Sequence, residues 1–171
     1  MDRPEPPPWP ASVQRVAAAL AAAGHPHLPR WLDVAARTSQ QAADALGVMV
    51  GQIAKSVIFR RPALADGSPE VAVLVITSGD RRVDEARLVA QVGALARADA
   101  AFVKAATGFA IGGVAPLAHL RPPLTLIDRE LQRFDRIWAA AGHPNAVFPL
   151  APADLLRLTG APLADVTASP P

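Results

Sequence analysis

The sequence predicts a mixed α/β domain built on a largely antiparallel or mixed sheet. Three observations carry this. Segments with helix caps and glycine stops alternate with short β-branched runs along the 171 residues. Strand-like runs also follow one another closely, at 52–60 and 70–77 and again at 137–150, too closely for every pair to be joined by a crossover helix. No internal repeat is present, which excludes solenoids and propellers.

The elements follow in order. Met1 to Pro10 holds five prolines, so residues 1–11 are expected as a disordered tail. Ser12 to Gly24 encloses Val16 to Ala23, mostly alanine, and reads as a helix capped by Ser12 and stopped by Gly24. As a signal-peptide core the run is poor, because it follows Asp2 and Glu5 rather than basic residues. It is also far shorter than the ~20 residues needed to cross a bilayer. A cytoplasmic location without membrane contact is expected. Trp31 to Ala35 is strand-like, and Thr38 or Ser39 caps a helix through Leu46, stopped by Gly47. Gln52 to Arg60 and Glu70 to Thr77 read as a hairpin with a long loop. Asp84 caps a helix to about Val92, and Asp99 to Ala106 is helical. Gly108 to Pro116 is glycine-rich. Leu124 to Asp128, Ile137 to Ala140 and Ala146 to Leu150 are strands, the last two separated by a turn at Gly142 to Asn145. Pro152 and Asp154 open a helix that ends at Gly160. One domain over residues 12–167 is expected, with a frayed tail at 168–171.

Composition narrows the chemistry. Hydrophobic residues make up 51% and charged residues 19%, which excludes intrinsic disorder. The absence of cysteine excludes disulfide scaffolds, thiol catalysis, zinc fingers and iron–sulfur clusters. The isoelectric point of 9.9 contrasts with a net charge of only +2. The basic set is 15 Arg and 2 Lys, with no Tyr and no Cys, so little titrates between about pH 8 and 10 and a small positive charge moves the isoelectric point far. A strongly basic surface does not follow from it. The doublets Arg60-Arg61 and Arg81-Arg82 read as solvated rims.

Lys55 is the most informative position. Period-2 alternation places Ile53, Lys55, Val57 and Phe59 on one face of the strand, with Ala54, Ser56 and Ile58 on the other. An ammonium on the more apolar face must be neutral, paired or facing a cleft. It reads either as a cleft lysine that binds an anion or as an edge-strand lysine that snorkels. Gly108-Phe-Ala-Ile-Gly112-Gly113-Val-Ala-Pro116 fits neither the dinucleotide fingerprint nor a phosphate loop. Its adjacent glycines allow a nest of backbone N–H groups for an anion or oxyanion, or an ordinary turn. The histidines His25, His27, His119 and His143 have no partners at ligand spacing, and neither metal nor cofactor is expected. No G-x-S-x-G elbow is present. Trp9, Trp31 and Trp138 are too scattered for a stacking platform, with Trp138 expected in the core.

Ala43-Asp-Ala-Leu-Gly-Val48, Gly51-Gln-Ile-Ala-Lys55-Ser56, Thr107-Gly108-Phe109, Gly112-Gly113-Val-Ala-Pro116 and Leu124-Thr-Leu-Ile-Asp128, in this order, resemble the YbaK/EbsC family of aminoacyl-tRNA editing proteins. These are related to the insertion domain of bacterial prolyl-tRNA synthetase. The resemblance spans about residues 12–167. It implies an α/β fold on a mixed, barrel-like sheet surrounded by helices. It implies metal-free hydrolysis of the ester between a wrong amino acid and the tRNA 3′ end, of the Cys- or Ala-tRNA(Pro) kind. Lys55 would grip phosphate or ribose of the terminal adenosine, and amides of Gly112 and Gly113 would stabilise the oxyanion. Ser56, Thr107, Gly108, Phe109, Val114, Ala115, Pro116, Asp128, Gly142 and His143 would bind substrate. The tRNA acceptor end and prolyl-tRNA synthetase are the implied partners. Where cysteine-specific members carry Ser-Gly-Gly, this chain has Ala140-Ala141-Gly142 followed by His143-Pro144-Asn145. His119 is expected at the rim of the loop. The competing readings are a non-catalytic module that binds tRNA or a synthetase, and a hydrolase of small amino-acid esters using the same pocket.

Overall fold

The structure is a computed structural model and describes residues 9–168. Of the expected tails, 1–11 and 168–171, residues 1–8 and 169–171 lie outside the described residues. Helix α1 (Ala11–Ala22) begins one residue before the expected Ser12 cap, with Pro10 at the N-cap. It buries Val13, Val16 and Leu20, the apolar stripe of a surface helix. The next strand is shorter than expected: β1 covers only Arg30–Trp31. Leu32 turns away because its N–H and C=O are taken by the Asn145 carbonyl and the Asn145 side-chain amide. Helix α2 (Ser39–Leu46) has the expected Thr38 cap, and Gln41 completes a reciprocal capping box. Gly47 ends it in the left-handed region at φ 68°.

Strands β2 (Ile53–Arg61) and β3 (Val71–Ser78) form the predicted hairpin, in register from Ala54 with Ser78 to Arg61 with Val71. Short β4 (Arg82–Val83) precedes α3 (Glu85–Val92), which Asp84 caps as expected. Then follow β5 (Ala96–Arg97), α4 (Ala100–Thr107), β6 (Leu124–Asp128), β7 (Ile137–His143), β8 (Ala146–Leu150), α5 (Pro152–Thr159), β9 (Leu163–Ala164) and β10 (Thr167–Ala168). Strands β4, β5, β9 and β10 were not expected, because two-residue lengths are below any periodic signal. Strand β10 also brings Ala168 inside the fold, one residue beyond the expected boundary.

The main sheet runs β1-β8-β7-β2-β3-β6-β9, with β5 added to β2. Strands β2 and β3 are antiparallel, whereas β7 on β2, β6 on β3 and β9 on β6 are parallel. The sheet is mixed, as expected, but it is not a closed barrel. Its end strands β1 and β9 are two residues long and each pairs on one side only.

One face carries the main core, in which Ala54, Leu74, Ile76 and Ile127 meet Val13 and Val16 of α1 and Val103 of α4. The other face is divided. Ile53 and Trp138 pack under Ala42 and Ala43 of α2. Phe59, Val73 and Val75 pack with Leu88 of α3. The predicted alternation along β2 is therefore real, and Lys55 stands between two apolar patches covered by different helices.

Strands β2 and β7 stay together only at Ile53 with Trp138 and Ala54 with Ala139. Beyond Ala140 the β7 ladder shifts register before His143, and β5 meets β2 only from Phe59 onward. The edge of β2 from Lys55 to Ile58 therefore has no neighbouring strand among the described residues. Gly142 makes the shift possible: its φ is +97°, and a Cβ there would sit 2.7 Å from the Ser12 carbonyl oxygen. Gly142→Ala should cost about 1–3 kcal/mol from backbone strain and overpacking. Urea denaturation measures this, and an unchanged midpoint would show that α1 does not depend on this contact.

Candidate active site

The gap between β2 and β7 is a cavity of about 240 Å³. Its walls are β2 from Ile53 to Ser56, Trp138 to Ala140 of β7, Arg37 to Ser39 with Ala42 at the start of α2, loop residues Ile111, Gly112 and Val114, and the turn at His143 and Pro144, with Ala146 and Val147 of β8. The ionisable side chains among these are Arg37, Lys55 and His143; no carboxylate is among them. The first turn of α2 adds the positive end of a helix. The cavity thus combines basic side chains with small apolar lining residues.

Lys55 is half-buried beside Thr77, its cross-strand partner. Its Nζ donates to the Arg81 carbonyl at 3.3 Å, one of three donor positions of an ammonium. Burial, and then the nearby Arg82 charge, hold its pKa below the ordinary lysine range. His143 lies half-buried in the turn, with its Nδ1 accepting the Asn145 N–H at 3.0 Å. In the neutral ring this places the proton on Nε2, so the ring is a donor there. The imidazole stacks on Trp31, with centroids 4.9 Å apart and planes 27° from parallel.

The loop from Thr107 to His119 is fastened from behind. Arg15 of α1 donates to the carbonyls of Ala118 at 2.9 Å and Thr107 at 3.2 Å, and its guanidinium lies 4.5 Å over the Phe109 ring. His119 donates to the Ala115 carbonyl at 2.7 Å and meets Phe109 edge-on. Burial pushes the His119 pKa down; the bond to the Ala115 carbonyl opposes this and the Arg15 charge adds to it. His119 is therefore a brace behind the loop rather than a rim residue.

Of the residues expected at the site, the structure brings together Lys55, Ser56, Gly112, Val114 and His143 around the cavity. The others serve its frame. Gly113 is buried, its N–H closes a turn onto the Ala110 carbonyl at 3.0 Å, and a Cβ would sit 2.8 Å from the His143 Cα. Its amide is therefore occupied. Among the described residues no protein acceptor takes the N–H of Gly112, Val114 or Ala115. Thr107 is buried and bonds the Val103 carbonyl and the Phe109 N–H through its hydroxyl. Gly108 ends α4 in the left-handed region, and Phe109, Ala115 and Pro116 are buried. Gly142 lies beneath the turn, against α1.

Asp128, expected to bind substrate, is not among the residues that line the cavity. It is buried at the end of β6, and its carboxylate accepts from the N–H of Ser78 and of Glu130 and from the Thr167 hydroxyl. Those bonds use its acceptors to tie β3, β6 and β10 together. Sequence reasoning missed Arg37, Thr38, Ser39, Ile111 and Ala140 as lining residues. Thr38 was visible as a cap, but which residues the capped end faces is a tertiary fact. Trp138 is in the core as expected and also forms part of a wall. Among the described residues no group of three or more His, Asp or Glu side chains is placed to hold a metal ion, and no helix is long and apolar enough to cross a membrane.

The lowered Lys55 pKa sets a stability relation. The native state binds fewer protons than the unfolded chain between the lowered native value and the ordinary lysine value of about 10.4, so stability rises with pH across that window. Below it, the cost of the desolvated ammonium is fully present. Lys55→Met should therefore be at least as stable as the wild type at pH 7, with an advantage that shrinks as pH rises through the window. Urea midpoints at pH 7 and pH 10 test this; a variant less stable at pH 7, with a gap that widens at pH 10, would contradict it.

Residues 33–158 match the sequence profile of the aminoacyl-tRNA editing domain. A Bacillus subtilis (strain 168) protein described as uncharacterized protein YwhH is 32% identical over 124 residues, 72% of this chain and 75% of that one. A crystal structure described as a proposed trans-editing enzyme for prolyl-tRNA synthetase is 37% identical, with a TM-score of 0.84 over 95% of this chain and 100% of that one. A crystal structure of a hypothetical protein, APE2540, is 28% identical, with a TM-score of 0.78 over 90% and 99% of the two chains. The profile match and the shared fold place this chain in the aminoacyl-tRNA editing domain family, the YbaK family.

Proposed function

We propose that this protein corrects mischarged tRNA in trans, by hydrolysing the ester between a small wrong amino acid and the tRNA 3′ end. The observation that carries the reading is the convergence in one gap of Lys55, the unshared amides of Gly112 and Val114, and a wall of small apolar residues. Ala42, Ala139, Ala140 and Ala146 leave room for a compact side chain such as that of alanine or cysteine. The ammonium of Lys55 and the guanidinium of Arg37 suit the phosphate and ribose of the terminal nucleotide. The absence of carboxylates from the lining residues suits a polyanionic substrate.

In the reaction the oxygen of a water adds to the ester carbonyl carbon. The resulting oxyanion takes hydrogen bonds from the Gly112 and Val114 amides, donors fixed before the charge develops. The bond to the ribose oxygen then breaks, and the proton lost by the water ends on that oxygen. The products are a free amino acid and tRNA with its hydroxyl restored. No carboxylate base lines the cavity, and the His143 Nδ1 lone pair is already engaged. The substrate's own 2′-hydroxyl, held beside the carbonyl, is the natural group to orient the water. The partners on this reading are the tRNA acceptor end and prolyl-tRNA synthetase, named in the description of the trans-editing structure. The reaction then belongs where tRNA is charged, in the cytoplasm.

Deacylation of alanyl-, cysteinyl- and seryl-tRNA(Pro) tests the reading. Wild-type protein should hydrolyse at least one of them with turnover. Lys55→Ala should lose about 10²-fold or more in kcat/KM, the scale of removing one fixed electrostatic contact from a transition state, while keeping the wild-type fold. Stoichiometric binding without turnover, or hydrolysis of simple amino-acid esters alone, would overturn it.

A further inference from the structure

Trp31 is 42% exposed, although it is the largest side chain on β1. One face of its indole rests on the His143 ring, and His143 lines the cavity. That much of the side chain in water leaves indole surface beyond the His143 contact for a ligand to cover. The position is rigid. The Leu32 N–H donates to the Asn145 carbonyl at 2.6 Å, the Asn145 side-chain amide donates back to the Leu32 carbonyl at 3.0 Å, and the Ala36 N–H donates to the Pro144 carbonyl at 2.9 Å. The segment after β1 is therefore laced to the same turn that carries His143. A flat aromatic surface is held one ring beyond the cavity mouth. On the same segment, Arg37 is exposed and makes no ion pair among the described residues.

We propose that Trp31, backed by His143, is a stacking platform for the unpaired terminal base of a single-stranded 3′ end whose ribose enters the cavity. The inference rests on the deacylase reading and extends it to how the nucleic acid is held. A base lies one ribose away from a 3′ ester, which matches the step from cavity to His143 to Trp31. Every base has a π face, so such a platform is tolerant of sequence and adds affinity without readout. Arg37 supplies a charge for the adjoining phosphate. The platform's rigidity reduces the ordering cost of binding.

The test uses a labelled ACCA oligonucleotide and the same oligonucleotide with an abasic 3′ residue, followed by fluorescence anisotropy with the full-length protein. Wild type should bind ACCA about 10-fold tighter than the abasic form, within the range typical of one base–aromatic stack. Trp31→Ala should lose that preference, and Trp31→Phe should keep most of it. With a mischarged tRNA, Trp31→Ala should raise KM about 10-fold and leave kcat unchanged, because stacking away from the ester is uniform binding. Equal weakening of both oligonucleotides in Trp31→Ala, no preference in the wild type, or an unchanged KM would overturn the platform. The two readings separate cleanly. Base-dependent binding without hydrolysis keeps the platform and sinks the deacylase; hydrolysis with an unchanged KM in Trp31→Ala does the reverse.

Discussion

The site depends on how early two parallel strands part. Strands β2 and β7 share ladder bonds at two positions, and then β7 shifts register and turns into β8. Unpaired backbone groups inside a protein are costly, so an interrupted edge must face water or a ligand. Here it faces the cavity. Had the ladder continued past Ala139, the edge of β2 beside Lys55 and Ser56 would be covered by strand. The departure of β7 is held by close packing that admits no side chain: Gly142 on the carbonyl of Ser12, and Gly113 against the backbone of His143. The same contacts bring the glycine loop and the hairpin turn together beside one opening.

This constraint explains why a lysine is tolerated on an apolar strand face. The apolar residues around Lys55 belong to two separate clusters, one beneath α2 and one beneath α3. The ammonium stands at the seam, where it reaches the Arg81 carbonyl and the cavity. Desolvation still weakens its hold on the proton. A group kept in an unfavourable setting by the surrounding fold is what a functional site requires, at some cost to stability. Arg15, in turn, ties the glycine loop to α1 through two carbonyls and the Phe109 ring, so the free amides are presented from a fixed backbone.

Much of this was legible in the sequence, because it rests on local rules. The Thr38 and Asp84 caps, the glycine stops at Gly47 and Gly160, and the alternation along β2 are each settled within a few residues. Lys55 stood out because a charge broke that alternation. Hidden features were those set by partners distant in the chain. Trp31 was followed by a run that reads as strand, yet Asn145 captures Leu32 and ends it. Asp128 belongs to a motif of the family, but Ser78, Glu130 and Thr167 use its carboxylate to join strands. Gly113 looked equivalent to Gly112, and only the turn onto Ala110 separates the occupied amide from the open one. His119 could not be placed without knowing that Arg15 and Phe109 lie beneath the loop.

On the proposed deacylase reading, the parted strands are the seat of an aminoacyl ester. The most direct measurement is a crystal structure with a 3′-aminoacylamino-adenosine, in which an amide replaces the labile ester. Its carbonyl oxygen should lie within hydrogen-bond distance of the Gly112 or Val114 amide, its amino-acid side chain against Ala139 and Ala140, and its ribose or phosphate at Lys55. Binding elsewhere on the surface, or in the gap with the carbonyl turned away from the loop, would contradict it.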